Sequence, residues 1–188
     1  MRKGNLFIIS GPSGAGKGTL VALLMKSVQD AWLSVSATTR APRTGEVDGT
    51  HYFFKSKPEF EHLIKTDALL EWAEYNGNFY GTPKGVVMQK ISEGVQVVLE
   101  IEVQGAAQVK QKFPEAHLVF IEPPSLEVLE ARLAQRGTES AQVIEKRIET
   151  AKVELEKKGE YDLRIVNENL DMAANELITY VNNCADAK

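Results

Sequence analysis

A glycine-rich segment near the amino terminus ends in a lysine, a glycine and a threonine. Residues 6–10 predict a short buried strand, and residues 17–29 predict a helix. Between them, the spacing G-x-x-x-x-G-K is the P-loop pattern in the strand–loop–helix context that it requires. Backbone N–H groups of such a loop surround phosphate oxygens, while the helix N-terminus and the lysine add positive charge. We therefore expect polyphosphate binding by the following residues: Gly11, Pro12, Ser13, Gly14, Ala15, Gly16, Lys17, Gly18 and Thr19.

The residue after the lysine departs from the usual P-loop pattern. A serine or threonine commonly stands there and binds magnesium, whereas this chain has Gly18 and carries the hydroxyl one residue later, on Thr19. We expect Thr19 to bind a phosphate and Mg²⁺ to be held mainly by nucleotide oxygens and water. In this form, Gly-Lys-Gly-Thr, the loop is similar to that of nucleoside monophosphate kinases.

Two arginines and two tyrosines further along the chain have the chemistry to bind a terminal phosphate. Arg40 and Arg43 lie three residues apart in a loop punctuated by glycine and proline, and Tyr52 and Tyr80 lie on separate predicted strands. Guanidinium forks and phenol hydroxyls supply several fixed donors to phosphate oxygens. The alternative is that the arginines are solvated and the tyrosines belong to the core.

Glu71 indicates which base is bound. It precedes Trp72 in a predicted aromatic hairpin that also leads to Thr82. A carboxylate facing guanine can accept hydrogen bonds from both N1–H and the exocyclic amine, whereas adenine has no donor at N1. Leaving such a buried polar group unpaired discriminates strongly against the wrong base. The alternative is a solvated strand carboxylate.

Two further carboxylates lie where the predicted buried strand at 95–101 ends, Glu100 within its last two residues and Glu102 directly after it. Ligands bind at the carboxyl ends of strands in open parallel sheets, so we expect this pair to orient a metal-bound water or a substrate amine. An ordinary acidic helix start is the alternative.

Three arginines near the predicted helices at 125–136 and 140–158 could close over transferring phosphates. Arg132 and Arg136 are four residues apart and share a helical face, and Arg147 lies on the next helix. On a mobile flap they would neutralise charge and exclude water. A solvated face paired with glutamates such as Glu130 is the alternative.

Alternating strands and helices must position these residues. The pattern predicts an α/β fold with a parallel sheet covered by helices on both faces. Residues 39–82 break the alternation and predict a small antiparallel insertion, with a helix at 57–65 and a hairpin at 71–80 that turns at Asn-Gly. We expect Thr82 to cap a helix that starts at Pro83, and Gly94 and Gly137 to end helices. The remaining predicted elements are strands at 33–38, 117–121 and 163–166, and helices at 104–112 and 171–182.

Composition limits the class of protein. A chain of 188 residues fits one domain with a substantial core. The net charge of −4 argues against broad, nonspecific nucleic-acid binding. The single cysteine, Cys184, rules out a disulfide framework within one chain, and the three histidines have no ligand-like spacing. Neither a membrane-spanning stretch nor a signal peptide is present in the sequence, so we expect a cytoplasmic location.

Taken together, these segments resemble the guanylate kinase family over about residues 5–182. The resemblance depends on the glycine-rich segment, on residues 34–46, 48–49 and 52–54, on Glu71, on residues 78–83, on residues 104–105 and on residues 136–139. It implies a P-loop kinase fold and the Mg²⁺-dependent reaction of ATP and GMP to ADP and GDP. It also implies a core at 1–35, 83–125 and 149–188, a GMP-binding insertion at 36–82 and a lid at 126–148.

The resemblance assigns roles to matching positions. The matches to GMP-phosphate binders are Ser36, Arg40, Arg43, Tyr52 and Tyr80. Glu71 and Thr82 match the guanine readers. The groups that steady the transferring phosphoryl match Lys17, Arg132, Arg136 and Arg147. Asn167 matches a position near the ATP adenine, Glu102 stands where the family usually has Asp in the GMP site, and Glu100 is expected to hold magnesium waters rather than the metal.

Three other functions stay open from the residues. A GTP-hydrolysing switch is weakly indicated by residues 102–105, but no Asn-Lys-x-Asp motif follows them. Guanylate-kinase-like domains also act as protein-binding modules, which typically have a damaged P-loop. A kinase for another phosphorylated acceptor, such as a sugar phosphate, is the third. Whether the protein is a monomer or a homo-oligomer is not decided by the sequence.

Overall fold

The computed structural model describes residues 2–135 and 140–187. Its strands are β1 (Asn5–Ser10), β2 (Ala31–Leu33), β3 (Ala37–Thr38), β4 (Phe53–Phe54), β5 (Leu69–Tyr75), β6 (Asn78–Pro83), β7 (Gln96–Glu100), β8 (His117–Glu122) and β9 (Leu163–Val166). Its helices are α1 (Lys17–Ser27), α2 (Lys57–Lys65), α3 (Lys84–Ser92), α4 (Val103–Lys112), α5 (Leu126–Gln135), α6 (Ala141–Glu156) and α7 (Leu170–Asp186), with a 3-10 turn at Lys157–Glu160. No described helix is both long enough and apolar enough to cross a membrane.

The central sheet has the order β2-β7-β1-β8-β9, and all of its pairings are parallel. Side chains of β1 alternate between two buried clusters, as a sheet covered on both faces requires. Phe7 and Ile9 pack with α1 and α7, whereas Leu6 and Ile8 pack with α3 and α4. The predicted α/β fold with a helix-covered parallel sheet is confirmed.

A second sheet has the order β4-β3-β6-β5. Its β5–β6 hairpin turns at Asn76 and Gly77, as predicted, and both residues have a positive φ, of 50° and 75°. The predicted antiparallel pairing holds for β5–β6 and β3–β6, whereas β3 pairs with β4 in parallel. The second sheet is therefore mixed.

The single strand predicted at 33–38 is also wrong, because the chain changes sheets there. The N–H of Ser34 donates to the Val98 carbonyl in the central sheet, at 2.9 Å, whereas the Ser36 carbonyl accepts from Phe53 in the second sheet, also at 2.9 Å. Residues 34–36 therefore join β2 to β3 and place two serines between the sheets.

Helix ends agree only partly with the prediction. Ser125 caps α5, since its Oγ accepts from the Val128 N–H at 3.3 Å. Gly94 follows α3 with a φ of 83°, which is the left-handed conformation expected there. The predicted Thr82 cap is wrong: Pro83 is the N-cap of α3, and the Thr82 hydroxyl is used elsewhere. Gly137 lies outside the described residues.

Candidate active site

The glycine-rich loop, residues 11–19, connects β1 to α1 in a conformation that needs its glycines. Gly11, Gly14 and Gly16 have φ values of 140°, 92° and 94°, which disfavour residues with a side chain. A Cβ atom at Gly11 would also collide with the Ile121 carbonyl oxygen, and one at Gly16 would collide with the Asn167 amide. The α1 N-terminus has no acidic residue in its first turn, so its partial positive charge is available to an anion.

Lys17 is folded back over the loop. Its Nζ donates to the carbonyl oxygens of Gly11 at 2.6 Å and Pro12 at 3.1 Å. Arg147 reaches the same loop from α6, since its Nη1 lies 3.1 Å from Ser13 Oγ. Two cations from distant parts of the sequence therefore meet at the loop, and Gly18 and Thr19 are exposed beside them.

Asn167 supports the loop from the end of β9. Its side chain is buried, and its Nδ2 donates to the Ala15 carbonyl at 2.8 Å. Arg132 in turn donates from Nη2 to the Asn167 carbonyl at 2.9 Å. Arg132 therefore binds the residue that supports the loop. Arg136 lies outside the described residues.

A cavity of about 440 Å³ lies far from these residues on α2, but a second one, of about 430 Å³, opens directly at the loop. We call the latter the loop cavity. It is lined by Gly11, Ser13, Lys17, Tyr75, Glu100, Ile101, Glu102, Arg147, Thr150 and Glu154. Burial raises the pKa of Glu154 to about 7, while the charge of Lys17 opposes this rise and that of Glu102 adds to it.

A smaller cavity of about 180 Å³, the sheet cavity, lies between the two sheets. It is lined by Leu33, Ser34, Ser36, His51, Tyr52, Thr82, Leu99, Glu100 and Ile101. Glu100 and Ile101 thus line both cavities, which places the end of β7 between them. The Oγ of Ser34 is buried in this region without a hydrogen-bond partner among the described residues.

The Glu100 carboxylate lies close to the start of α1. A Cβ added at Gly18 would lie 3.6 Å from a Glu100 carboxylate oxygen, an ordinary contact distance, so the structure places this carboxylate beside the helix N-terminus without requiring a glycine there. Burial raises the pKa of Glu100, and the positive charge of Lys17 opposes that rise.

The donor set around Glu100 fits only a loosely held magnesium ion. Among the described residues, no group of three histidine, cysteine, aspartate or glutamate side chains could hold a metal. Mg²⁺ commonly keeps several waters and takes one or two carboxylates plus substrate phosphates. A single carboxylate, Glu100, above a loop of the phosphate-binding type is consistent with this way of holding Mg²⁺.

Glu71 is buried and rigidly held at one edge of the second sheet. The Thr82 hydroxyl donates to its Oε1 at 2.6 Å. Its other oxygen faces Gly105 at the start of α4, where an added Cβ would lie 3.1 Å away. Burial raises the pKa of Glu71, and the negative charge of Glu102 adds to the rise. Thr82 lines the sheet cavity, whereas Glu71 lies behind it.

Arg40 and both tyrosines form a group on the second sheet. The Arg40 guanidinium lies 5.3 Å from the centre of the Tyr52 ring, and the rings of Tyr52 and Tyr80 are 6.2 Å apart. Ser36 joins them through the sheet cavity, while Arg43 is exposed at the loop. Four of the five residues assigned to the acceptor phosphate are therefore neighbours.

Comparison with known proteins shows how this arrangement is classified. The family model described as guanylate kinase matches residues 3–184. The chain belongs to the guanylate kinase family. A guanylate kinase from Desulfitobacterium hafniense (strain Y51) is 53% identical over 174 residues, which is 93% of this chain and 87% of that protein. One from Synechocystis sp. (strain ATCC 27184 / PCC 6803 / Kazusa) is 52% identical over 179 residues, or 95% and 94% of the two chains.

A solved structure of the same family has the same fold. The guanylate kinase from Anaplasma phagocytophilum superposes with a TM-score of 0.76 at 31% identity, covering 100% of this chain and 90% of that one. The protein is thus an enzyme, a nucleotide-binding kinase of the guanylate kinase family.

Several residues that the structure places at this candidate site were not singled out from the sequence. Tyr75, Thr150 and Glu154 line the loop cavity, and Glu46 is bound to Arg40. Glu46 could have been noticed as the first carboxylate after the two arginines. Glu154 gave no such signal, because only the packing of α6 against the loop brings it to the cavity.

Proposed function

We propose that the protein transfers the γ-phosphoryl group of ATP to GMP, and also to dGMP, by direct in-line transfer. The observation that carries this proposal is the shared wall of the two cavities. A polyphosphate on the glycine-rich loop and an acceptor in the sheet cavity would meet at Glu100 and Ile101. Two separate nucleotide sites with adjoining ends are what phosphate-to-phosphate transfer requires.

The donor side uses the loop and its cations. Loop N–H groups and the α1 N-terminus would hold the β- and γ-phosphates, and Lys17 and Arg147 would add charge as the phosphoryl group moves. The full set that we assign to ATP is Gly11, Pro12, Ser13, Gly14, Ala15, Gly16, Lys17, Gly18, Thr19 and Asn167. Asn167 acts by supporting the loop, given its bond to Ala15. Arg132 and Arg136 are proposed to steady the phosphoryl group when the lid closes.

The acceptor side separates phosphate from base. We assign the GMP phosphate to Ser36, Arg40, Arg43, Tyr52 and Tyr80. Glu71 and Thr82 would read guanine, with Glu102 at the edge of the site. The hydrogen bond from Thr82 supports this assignment because it fixes the carboxylate that must accept from two guanine donors.

The reaction needs no nucleophilic side chain. An oxygen of the GMP phosphate attacks the γ-phosphorus, the bond to the β,γ-bridging oxygen breaks, and ADP leaves with that oxygen. Positioning and charge stabilisation then carry the catalysis. When bound to ATP, Mg²⁺ neutralises phosphate charge, and Glu100 would hold its water ligands.

A substrate panel tests the proposal. ADP release is measured with ATP and, in turn, GMP, dGMP, AMP, UMP, CMP and a sugar phosphate. We expect turnover with GMP and dGMP only. No turnover with GMP would end the proposal, and turnover with a sugar phosphate alone would favour the other kinase class.

A further inference from the structure

The carboxylate of Glu46 binds one edge of the Arg40 guanidinium through two hydrogen bonds. Arg40 donates from Nη1 to Glu46 Oε2 at 2.9 Å and from Nη2 to Glu46 Oε1 at 2.8 Å. Both side chains are largely covered, with exposed fractions of 16% and 18%. The pair is bidentate and largely shielded from water, so its geometry is better defined than that of an ordinary surface ion pair.

The pairing with Glu46 leaves the other edge of the guanidinium for a second acceptor. A guanidinium has five N–H donors and two edges that match a bidentate acceptor. Glu46 takes one donor from each terminal nitrogen, and the Ala41 carbonyl takes another from Nη1 at 2.8 Å. These bonds to Glu46 and Ala41 start at Nη1 and Nη2, so the edge of the guanidinium that Glu46 does not take is the one made by Nε and Nη2. The Tyr80 hydroxyl also interacts with this guanidinium.

The same carboxylate shapes the loop that carries the second arginine. Glu46 Oε2 accepts from the backbone N–H of Arg43 at 2.7 Å, and the Glu46 N–H donates to the Arg43 carbonyl at 3.0 Å. One side chain therefore fixes both the guanidinium of Arg40 and the backbone at Arg43. The Tyr52 ring supports the guanidinium from its face, 5.3 Å away.

We propose that Glu46 is a positioning residue for the acceptor phosphate. It holds Arg40 by the terminal edge so that the Nε–Nη2 edge is presented to the phosphate before the nucleotide binds. This inference rests on the proposed function, since it takes GMP as the acceptor. Because Arg40 is already ordered, binding of the phosphate loses less side-chain conformational entropy.

Charge does not contradict this role. The negative charge of Glu46 is balanced by its ion pair with Arg40, while the Arg43 side chain is exposed as a second cation for a phosphate. Hydrogen bonds from Arg40 and from the Arg43 backbone lower the pKa of Glu46 to about 2. A carboxyl with a lowered pKa makes its ionic contacts above its ordinary pKa and loses them only as the pH falls towards 2. The Glu46 carboxylate is therefore ionised and paired with Arg40 at neutral pH.

A Glu46→Gln variant tests the proposal. The amide keeps the size of the side chain but loses the charge and turns one acceptor into a donor that faces a guanidinium N–H. We expect the KM for GMP to rise by about tenfold or more, with the KM for ATP unchanged within about twofold. Affinity for guanosine, measured by competition, should stay the same because guanosine has no phosphate.

Asp48→Asn is the matched control for loop order. Asp48 Oδ1 accepts from the Phe54 N–H at 2.8 Å, so it anchors the same loop without touching Arg40. We expect this variant to change the KM for GMP much less than Glu46→Gln does. Equal losses in both variants, or a loss of guanosine affinity in Glu46→Gln, would show a merely structural role and overturn the proposal. Tighter GMP binding by Glu46→Gln would also overturn it, because Glu46 would then compete with the phosphate.

A double-mutant cycle shows whether Glu46 acts through Arg40. In an Arg40→Ala background, we expect Glu46→Gln to have a much smaller further effect on GMP affinity, limited to its contact with the Arg43 backbone. An undiminished effect there would refute a positioning role. Failure of the proposed function looks different: either the wild-type protein would not bind GMP, or it would bind GMP with an affinity that Arg40→Ala leaves unchanged.

Discussion

At the scale of single residues, Glu71 is placed where burial opposes its charge while Thr82 fixes its orientation. Burial raises its pKa, and the nearby Glu102 adds to this rise. A carboxylate in such a place loses its ionised form at a higher pH than an ordinary glutamate. If it reads guanine as a double acceptor, the affinity for GMP should therefore weaken as the pH falls through that raised pKa, with the base contact intact only above it.

Substitution of Glu71 by Gln checks this role. The amide oxygen still accepts from Thr82, but the second oxygen becomes a donor that meets a guanine donor. Loss of a charge-assisted hydrogen bond costs about 1.5–3 kcal/mol, which is about 10- to 100-fold in affinity. We expect that rise in the KM for GMP and little change for ATP, measured by steady-state kinetics. Equal effects on both nucleotides would count against a guanine-reading carboxylate.

Lys17 gives a second prediction at this scale. In the structure its ammonium is held by two loop carbonyls, close to where we place the γ-phosphate. Lys17→Ala should lower kcat by about 10²–10³-fold, the effect of removing one preorganised charge-stabilising group. Circular dichroism should show an unchanged fold. Wild-type turnover in this variant would refute the assigned role.

Glu154 is expected to make ATP binding depend on pH. Its pKa of about 7 means that it is mostly neutral below that pH and mostly anionic above it. The anion would repel a polyphosphate in the same cavity, so the KM for ATP should rise with pH across neutrality. Because nucleotides also titrate in this range, Glu154→Gln is compared with the wild type at each pH. Identical profiles in the two proteins would exclude this effect.

At the scale of elements, local patterns and long-range contacts were predicted with different success. The glycine-rich loop, the Asn-Gly hairpin and the buried strands follow from residues close together in sequence, and the structure has them where they were expected. The break between β2 and β3 depends on two long-range pairings, of Ser34 with Val98 and of Ser36 with Phe53, which residues 33–38 alone do not specify. Thr82 looked like a helix cap because its partner Glu71 lies on another strand.

Candidate site residues divide in the same way. Those in the glycine-rich loop were predicted from spacing, and those on the second sheet were predicted from residue type and family resemblance. The pairing of Glu46 with Arg40 is local in sequence but depends on how the loop between them turns. The approach of Glu154 to the glycine-rich loop depends on tertiary packing, which has no local signature.

The end of β9 holds the glycine-rich loop, and this support can be tested. Asn167→Ala removes the bond to the Ala15 carbonyl and leaves a buried acceptor unpaired, at a cost of about 1–3 kcal/mol. We expect a lower free energy of unfolding in urea and a higher KM for ATP, with the KM for GMP less affected. Asn169→Ala is the control. The Asn169 side chain caps α7 by accepting from the Met172 N–H at 3.0 Å, and loss of this cap lowers the free energy of unfolding by about 1 kcal/mol. A raised KM for ATP in the control as well would mean that general destabilisation explains the effect.

At the scale of the whole molecule, residues from both sheets and from α6 surround the loop cavity. Tyr75 comes from the hairpin, Glu100 from the central sheet and Arg147 from α6. We propose that residues 36–82 act as a GMP-binding insertion and residues 126–148 as a lid. The insertion and the lid would make new contacts only when both nucleotides are bound. The phosphates of the two nucleotides would then lie between positive side chains on opposite sides of the site.

Small-angle scattering measures the closure that this arrangement predicts. A folded chain of this length has a radius of gyration of about 16 Å. GMP together with an unreactive ATP analogue should reduce it more than either ligand alone, because only the pair supplies anions to both cavities. Arg147→Ala should weaken the compaction, since it removes one cation that reaches the loop from α6. If both sites are saturated and the scattering curve stays that of the free protein, the two cavities are already in their reactive arrangement and the proposed insertion and lid do not move.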